Sequence, residues 1–326
     1  MSGKTYLEAV REALIEEMEA DERVFIMGED IAVYGGAFKV TEGMLEQFGE
    51  ERVLDTPIAE AGMIGAAVGA ALMDRRPIVE IQFLDFLSCG FDSLTNFAAK
   101  CHYRWGASVP LVIRGPGGGG VGGGPFHSQS MEMYFVKTPG IKVVAPATPS
   151  DAKILLKAAI RDPNPVLFIE HKALYRNPNL REPLPGTEVV GRLGEARTHG
   201  DGRDLVVVTY GAMVHRCLEV QARLAASDIH ARIIDLRTLQ PLDVNAIVES
   251  VKACGKVLIV HEDTKTGGLA GEITALINES AFEWLDGPVQ RVTAIDAPIP
   301  FNKELEQAFF PQTDDIELAA RRLVEY

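Results

Sequence analysis

The sequence predicts an α/β protein of two domains, each built on a mainly parallel sheet flanked by helices. The chain has 326 residues, which is about two domains at roughly 150 residues each. Short apolar runs alternate with stretches of helical periodicity, which is typical of parallel sheets with crossover helices. A single stretch rich in proline and glycine interrupts this alternation. We therefore predict a first domain at 1–176, a linker at 177–203 and a second domain at 204–326.

The elements of the first predicted domain follow from the spacing of apolar residues. Residues 4–20 predict a helix, and a short apolar strand follows at 24–27. A helix of small residues is expected after Thr56-Pro57, with threonine as the N-cap and proline at the first helical position. The remaining elements, in chain order, are a strand at 77–81, a helix at 89–103, strands at 109–114 and 141–146, a helix at 149–160 and a strand at 165–170.

The alternation of strands and helices restarts after the linker and continues to the C-terminus. It predicts a second α/β domain of roughly 125 residues, close to the usual domain size. Its strands are expected at 205–211, 230–236, 256–262 and 290–296, with helices up to about 227, at 243–253, at 269–281 and at the C-terminus.

Composition and charge exclude several classes of partner. The net charge is −14 and the pI is near 5.0, which argues against binding to nucleic acid or to an anionic membrane. No apolar run reaches the roughly 18 residues of a membrane span. The acidic, amphipathic N-terminus reads as neither a signal peptide nor a transit peptide. The four cysteines lack CxxC spacing, so we expect buried free thiols in a reducing cytoplasm.

A single carboxylate, Glu60, stands at the start of a run of small apolar residues. A capping box needs the acid three residues after the cap, and with Thr56 as the cap that position is Ala59. An error of one or two residues in the helix start would restore the capping box. A carboxylate that is buried needs a hydrogen-bond partner. The small residues that follow fit either tight core packing or a surface for close approach.

Two further segments carry candidate functional residues. Gln82 and Phe86 follow a predicted strand, and ligands bind at the carboxyl ends of strands in open α/β sheets; an aromatic residue there also fits a core. Seven of the ten residues in 116–125 are glycine. They lack the Lys-Ser/Thr of a phosphate loop, so we expect a mobile loop of unusual backbone conformation. It leads to His127, and imidazole is a side-chain group that can shuttle protons.

Several segments resemble one known family, in its order and spacing, over essentially the whole chain. The chain is similar to the beta subunit of the thiamine-diphosphate-dependent decarboxylating component of 2-oxo acid dehydrogenase complexes. The resemblance implies a transketolase-like pyrimidine-binding domain, a transketolase C-terminal-like domain and an α2β2 enzyme. The matching segments are DTPIAEAGMIGAAVGAA, EIQFLDF, AAKCHYRWG, PFHSQS, PGIKVVAP, AAIRDPNPVLFIEHKALYR and DLRTLQPLD.

The resemblance also implies roles for individual residues. Glu60 matches the glutamate that hydrogen-bonds the pyrimidine ring of thiamine diphosphate and promotes loss of the thiazolium C2 proton. Phe86 matches an aromatic ring stacked on the pyrimidine, and Ile58 and Gln82 match other cofactor-pocket positions. His127 matches the histidine that handles the substrate carboxylate and acyl transfer. Glutamine at position 82 favours branched-chain 2-oxo acids, while pyruvate and acetoin stay open as substrates.

Metal ions and partners are likewise implied by the resemblance. The family motif that holds Mg²⁺ on the diphosphate, GDG with paired Asn further on, is absent. Thiamine diphosphate would thus be shared with an alpha subunit that holds the Mg²⁺, and the chain alone would be inactive. A lipoyl-bearing acyltransferase core would dock on the C-terminal domain. A potassium site would involve five matching positions: Leu111, Val112, Ala159, Asp162 and Asn164. A simple turn before Pro165 is nearly as good an explanation for the last two.

Three other functions compete with this interpretation. A complete transketolase-like enzyme would carry both cofactor domains in one chain, which the length and the missing Mg²⁺ motif argue against. A non-catalytic module could retain the fold, although the joint presence of Glu60, Phe86 and His127 argues for catalysis. A nucleotide-binding protein could use the glycine run.

Overall fold

The computed structural model describes residues 3–326 and confirms the α/β fold class. The chain forms two compact units. The first runs up to Gly117 and resumes over Tyr134–Leu193; the second comprises Gly118–Met133 and Gly194–Tyr326. Within the described residues, no helix is both long and apolar enough to cross a bilayer.

The first unit contains a parallel sheet whose strands lie in the order β5-β6-β4-β3-β1-β2. Non-consecutive neighbours mean that helical crossovers connect them. The strands are β1 (Val24–Gly28), β2 (Val53–Asp55), β3 (Arg76–Glu80), β4 (Val112–Gly117), β5 (Lys142–Val144) and β6 (Val166–His171). The helices up to β6 are α1 (Tyr6–Ala20), α2 (Met44–Phe48), α3 (Glu60–Leu72), α4 (Ala99–Trp105), α5 (Glu132–Val136) and α6 (Pro149–Arg161).

The second unit contains a five-stranded sheet in the order β12-β11-β8-β9-β7, parallel except for β7. Apolar residues of β8, α7 and α11 form one core cluster beside it. The strands are β7 (Arg197–His199), β8 (Leu205–Thr209), β9 (Ala231–Asp235), β10 (Thr238–Gln240), β11 (Val257–Thr264) and β12 (Gln290–Ala294). The helices are α7 (Met213–Ala225), α8 (Val244–Cys254), α9 (Leu269–Ala281), α10 (Lys303–Phe309) and α11 (Thr313–Glu325).

A buried ionic network ties together three central strands of the first sheet. Arg114 on β4 makes a two-pronged contact with Glu170 on β6, with Nε–Oε1 at 2.5 Å and Nη2–Oε2 at 2.7 Å. Its Nη1 also donates to Glu80 on β3, and Tyr175 donates to Glu170 at 2.6 Å. Burial lowers the pKa of Arg114, but Glu170 and Glu80 outweigh it and raise that pKa well above its usual range. Burial raises the pKa of Glu80, and the charge of Arg114 opposes that rise. Loss of Arg114 would leave two buried carboxyl groups without their shared cation.

The helix predicted at 89–103 is confirmed in its position, because residues 91–105 are helical throughout, but it is not a regular α-helix. The chain forms a 3-10 helix at Leu84–Gly90, a π-helical turn at Ser93–Ala98 and then the short α4. Packing explains the first break, because a Cβ at Gly90 would lie 2.3 Å from the Ile64 side chain of α3. Within the π-helical turn, Thr95 Oγ1 donates to the carbonyl of Phe91 at 2.7 Å. Such back-bonding bends helices.

The predicted helix start at Thr56-Pro57 is wrong. Helix α3 begins at Glu60, and its N-cap residue Ala59 makes no side-chain cap bond. Thr56 is instead held near the sheet, where its backbone N–H donates to the carbonyl of Gly28 at 2.9 Å. Glu60 is therefore at the first helical position and is not part of a capping box.

Other differences are smaller. The strand predicted at 109–114 begins at Val112 and continues to Gly117. The stretch predicted as a linker contains strand β7, which pairs antiparallel with β9. Cys89 is exposed, so the expectation of buried thiols is wrong for this residue and confirmed for Cys101, Cys217 and Cys254. By contacts, residues 118–133 group with the second unit; the predicted domain limits stay a prediction.

Candidate active site

Two neighbouring carboxyl groups define the candidate site in the first unit. Glu60 is half-buried at the start of α3. Glu29 directly follows β1 and is 8% exposed, and its Oε1 has no hydrogen-bond partner among the described residues. Burial raises the pKa of Glu29, and the charges of Glu60 and Asp30 raise it further. A carboxyl that shifts in this way is a candidate for proton transfer.

Gln82 and Phe86 lie close to this pair. Gln82 Nε2 donates to Asp30 Oδ2 at 3.2 Å and to the carbonyl of Glu29 at 3.3 Å. Phe86 is half-buried in the 3-10 helix at 84–90. That helix packs on the start of α3, since a Cβ at Gly90 would lie 3.3 Å from the carbonyl oxygen of Glu60. The structure thus brings the predicted residues of this unit to one region.

Ile58 and the small residues of α3 face solvent in this chain. Ile58 is 83% exposed, which is unusual for a large apolar side chain. The first turns of α3 bury Met63, Ile64, Ala67 and Val68 on the opposite face. The core-packing explanation therefore fails for four small residues, which are exposed and permit close approach of another backbone or a flat ligand: Gly62, Gly65, Ala66 and Gly69.

His127 belongs to the second unit and follows a short 3-10 helix at Gly124–Phe126. The preceding loop has the unusual backbone that its glycines predict. Positive φ angles, which L side chains rarely adopt, occur at every second residue, namely Gly118, Gly120, Gly122 and Gly124. The N–H of Gly118 donates to the carbonyl of Gln129 at 3.1 Å and so closes the loop around His127.

An additional carboxyl group of the second unit has a perturbed pKa. Glu132, which begins α5, is 4% exposed and accepts a 2.6 Å hydrogen bond from the hydroxyl of Tyr210. Burial raises the pKa of Glu132 to about 8, with a further contribution from the charge of Asp263. Burial also raises the pKa of Asp263. No local sequence pattern distinguishes Glu132, because its burial depends on residues far along the chain.

We expect Glu132 to make the stability of the second unit pH-dependent. Its folded pKa is raised above the ordinary value of 4.5, so its proton-linked stability is complete below about pH 4.5 and is lost as pH rises through 8. Glu132→Gln removes this titration. The free energy of unfolding of the variant relative to the unaltered chain should therefore rise by roughly 2.5 kcal/mol between about pH 5.5 and 7.5, at a little under 1.4 kcal/mol per pH unit.

Urea unfolding of both chains at the two pH values measures this difference. Glu279→Gln is the matched control, because Glu279 is exposed on α9. The control should show no comparable change. A Glu132→Gln difference that stays constant with pH would contradict the raised pKa.

The positions matched to a potassium site lie close together at one end of the first sheet. The N–H of Val109 donates to the carbonyl of Pro163 at 3.0 Å, and that of Val166 donates to Leu111 at 2.9 Å. Asp162 offers no free carboxylate oxygen, because Oδ1 accepts from the Asn164 N–H and Oδ2 pairs with Lys142. Carbonyl oxygens keep a second lone pair, so the backbone carbonyl oxygens of this region are its candidate ligands for a potassium ion.

Comparisons with known proteins extend these observations. The chain matches the transketolase pyrimidine-binding domain over residues 2–178 and the transketolase C-terminal domain over residues 194–316. A solved chain described as "Split gene transketolase, inactive beta4 tetramer" shares the fold, with a TM-score of 0.80, 21% identity and coverage of 99% of both chains. The fold therefore defines a transketolase-like protein.

Similarity in sequence indicates a narrower family than the fold does. The chain is 46% identical to the 2-oxoisovalerate dehydrogenase subunit beta of Bacillus subtilis (strain 168), over the full length of both. It is 42% identical to the pyruvate dehydrogenase E1 component subunit beta of the same organism, again over both full lengths. The chain belongs to the family of 2-oxo acid dehydrogenase beta subunits.

Proposed function

We propose that the chain is the beta subunit of an α2β2 2-oxo acid dehydrogenase. The enzyme decarboxylates a 2-oxo acid oxidatively and transfers the acyl group to a lipoyl group on an acyltransferase core. A branched-chain 2-oxo acid is favoured as substrate, and pyruvate is the second candidate. The full-length identity of 46% with a 2-oxoisovalerate dehydrogenase beta subunit carries this proposal, while the 42% identity with a pyruvate enzyme supports the alternative.

The residues of the first unit fit the pyrimidine end of thiamine diphosphate. The buried Glu29 carries an oxygen with no hydrogen-bond partner among residues 3–326, Glu60 is half-buried beside it, and Phe86 presents a half-buried ring. When bound, the cofactor supplies a carbon nucleophile and an electron sink for decarboxylation. Glu60 would hold a proton on its carboxylate against a ring nitrogen, and Phe86 would fix the plane of the ring.

Other residues of the chain would orient the cofactor and the substrate. Gln82 would help to shape the pocket, since its amide is held by Asp30 and the Glu29 carbonyl. Ile58, now exposed to solvent, would be covered by the cofactor. His127 would bind the substrate carboxylate and serve in acyl transfer, with imidazole as the proton carrier.

Metal ions would be divided between the subunits. The alpha subunit would hold the Mg²⁺ that neutralises the diphosphate, since this cation needs carboxylate and water ligands beside the phosphates. Among residues 3–326, no group of three or more His, Cys, Asp or Glu side chains is placed to hold a metal ion. A potassium ion would rest on backbone carbonyls near Leu111, Val112, Ala159, Asp162 and Asn164.

The split cofactor site predicts that the purified chain is inactive alone. Co-expression with an alpha chain that carries GDG and the paired asparagines should restore decarboxylation that depends on thiamine diphosphate. The assay compares branched-chain 2-oxo acids, pyruvate and acetoin, and the highest kcat/KM is expected for a branched-chain acid. Strong activity of the lone chain would refute the split site. An assembled complex inactive on all three substrates would favour a non-catalytic role.

A further inference from the structure

The glycine-rich loop before His127 is held by a buried carboxylate. Glu306 lies on α10 and is 3% exposed. Its Oε1 accepts from the N–H of Gly120 at 3.1 Å, and its Oε2 accepts from that of Gly122 at 2.9 Å. Glu262 on β11 accepts from the N–H of Gly119. Hydrogen bonds to a charged acceptor are about twice as strong as neutral ones, so these two carboxyl groups anchor the loop backbone at three of its N–H donors.

Aromatic side chains near α10 occupy the space above the same loop. A Cβ at Gly119 would lie 2.1 Å from the ring of Phe310, and a Cβ at Gly124 would lie 2.5 Å from the ring of Phe301. No side chain fits at either position without displacing a ring. The backbone therefore approaches the α10 region closely, which brings the loop amides within reach of Glu306.

His127 is coupled to the anchored part of the loop through short contacts. Its N–H donates to the carbonyl of Gly124 at 3.4 Å. A Cβ at Gly123 would lie 2.7 Å from Ser128 Oγ and 3.0 Å from the carbonyl oxygen of His127. A shift of the backbone at 120–122 would therefore move His127, because close packing leaves no room to absorb it.

We infer that Glu306 is a positioning residue for His127. Its carboxylate fixes the loop backbone so that the imidazole is presented in one orientation. The inference rests on the role proposed above for His127. Under this inference, the rate of acyl transfer depends on Glu306, a residue of the C-terminal region that would contact neither cofactor nor substrate. Misplacing a reacting group by about 1 Å costs roughly 100-fold in rate, so loss of the anchor should be measurable.

The test uses the assembled enzyme with its alpha subunit and compares Glu306→Ala, Glu306→Gln and the control Glu304→Ala. Glu304 lies on the same helix but is exposed. Hydrogen exchange of peptides covering 118–124 should be faster in Glu306→Ala and unchanged in the control. Reductive acylation of a lipoyl domain should fall roughly 10- to 100-fold in Glu306→Ala, with thiamine diphosphate affinity retained.

Glu306→Gln keeps one acceptor oxygen and loses one contact with a loop amide. Its rate of reductive acylation should therefore lie between those of Glu306→Ala and Glu304→Ala. If Glu306→Ala fails to fold, Glu306→Gln still tests the inference. Unchanged exchange and an unchanged rate in Glu306→Gln and Glu306→Ala would overturn the inference, as would a fall in rate of the same size in Glu304→Ala.

A double-mutant cycle separates this inference from the proposed function. If Glu306 acts through His127, Glu306→Ala should cause little further loss of acylation rate in a His127→Ala background. Full additivity of the two losses would overturn the link between them. An unchanged rate in His127→Ala alone would refute the role proposed for His127 and this inference with it, while the exchange data would still report whether Glu306 holds the loop.

Discussion

Glu60→Ala is expected to lower the turnover of the assembled enzyme by roughly 10²- to 10⁴-fold, the range typical of a lost general acid–base group. Assembly with the alpha subunit should persist, because Glu60 is only half-buried at the first turn of α3 and makes no cap bond that the helix needs. The effect should appear in kcat, since the residue would act on the proton at the reacting heterocycle. Steady-state decarboxylation with an artificial electron acceptor measures it.

Glu60→Gln sharpens this test. An amide of nearly the same shape keeps a hydrogen bond but does not carry the proton, so its kcat should be close to that of the alanine variant. Glu51→Gln, at an exposed position on the loop before β2, is the matched control and should keep full activity. Normal turnover in both Glu60 variants would leave the chain without its proposed acid–base group and would favour a non-catalytic module.

The largest expected loss of stability follows from Arg114→Met. The substitution leaves Glu80 and Glu170 buried without their common cation. Removing one partner of a buried ion pair costs about 3–5 kcal/mol, which is a large part of the 5–15 kcal/mol that stabilises a typical domain. We expect the free energy of unfolding to fall by about that amount, or the chain to accumulate in insoluble form.

Urea unfolding of the isolated chain gives the comparison, and Arg223→Met is the control. Arg223 also contacts several carboxylates, including Asp314 at 2.9 Å, but the group is exposed to solvent. Exposed ion pairs contribute little to stability because water screens them. Arg223→Met should therefore unfold at nearly the same urea concentration as the unaltered chain. Equal stability of Arg114→Met and the control would contradict the expected cost of leaving the buried carboxyl groups without Arg114.

Local patterns made the fold class predictable from the sequence. Strands β8, β9 and β11 were predicted within a few residues, because continuous apolar runs mark strands buried on both faces. The start of α3 was not predictable in this way. Thr56 and Pro57 have the local chemistry of a helix start, but Thr56 is held by its hydrogen bond to Gly28. Tertiary pairing overrode local preference there.

The candidate site was predictable only in part, because tertiary contacts that no local sequence pattern shows determine much of it. The segments around Glu60, Phe86 and His127 stand out as short motifs, and their functional roles remain predictions. Glu29, Glu132 and Glu306 have ordinary sequence neighbours, so nothing local distinguishes them from surface carboxylates. Gly120 and the carboxylate that holds it are 186 positions apart, and only the folded chain shows the pairing.

The exposure of Cys89 has a practical consequence. The thiol lies three residues after Phe86 in the same 3-10 helix, and the other three cysteines are buried. Burial raises the pKa of Cys101, Cys217 and Cys254 and so suppresses the reactive thiolate. A maleimide dye added to the isolated chain would therefore attach at one defined point, which gives an optical probe of cofactor and subunit binding without any engineered label.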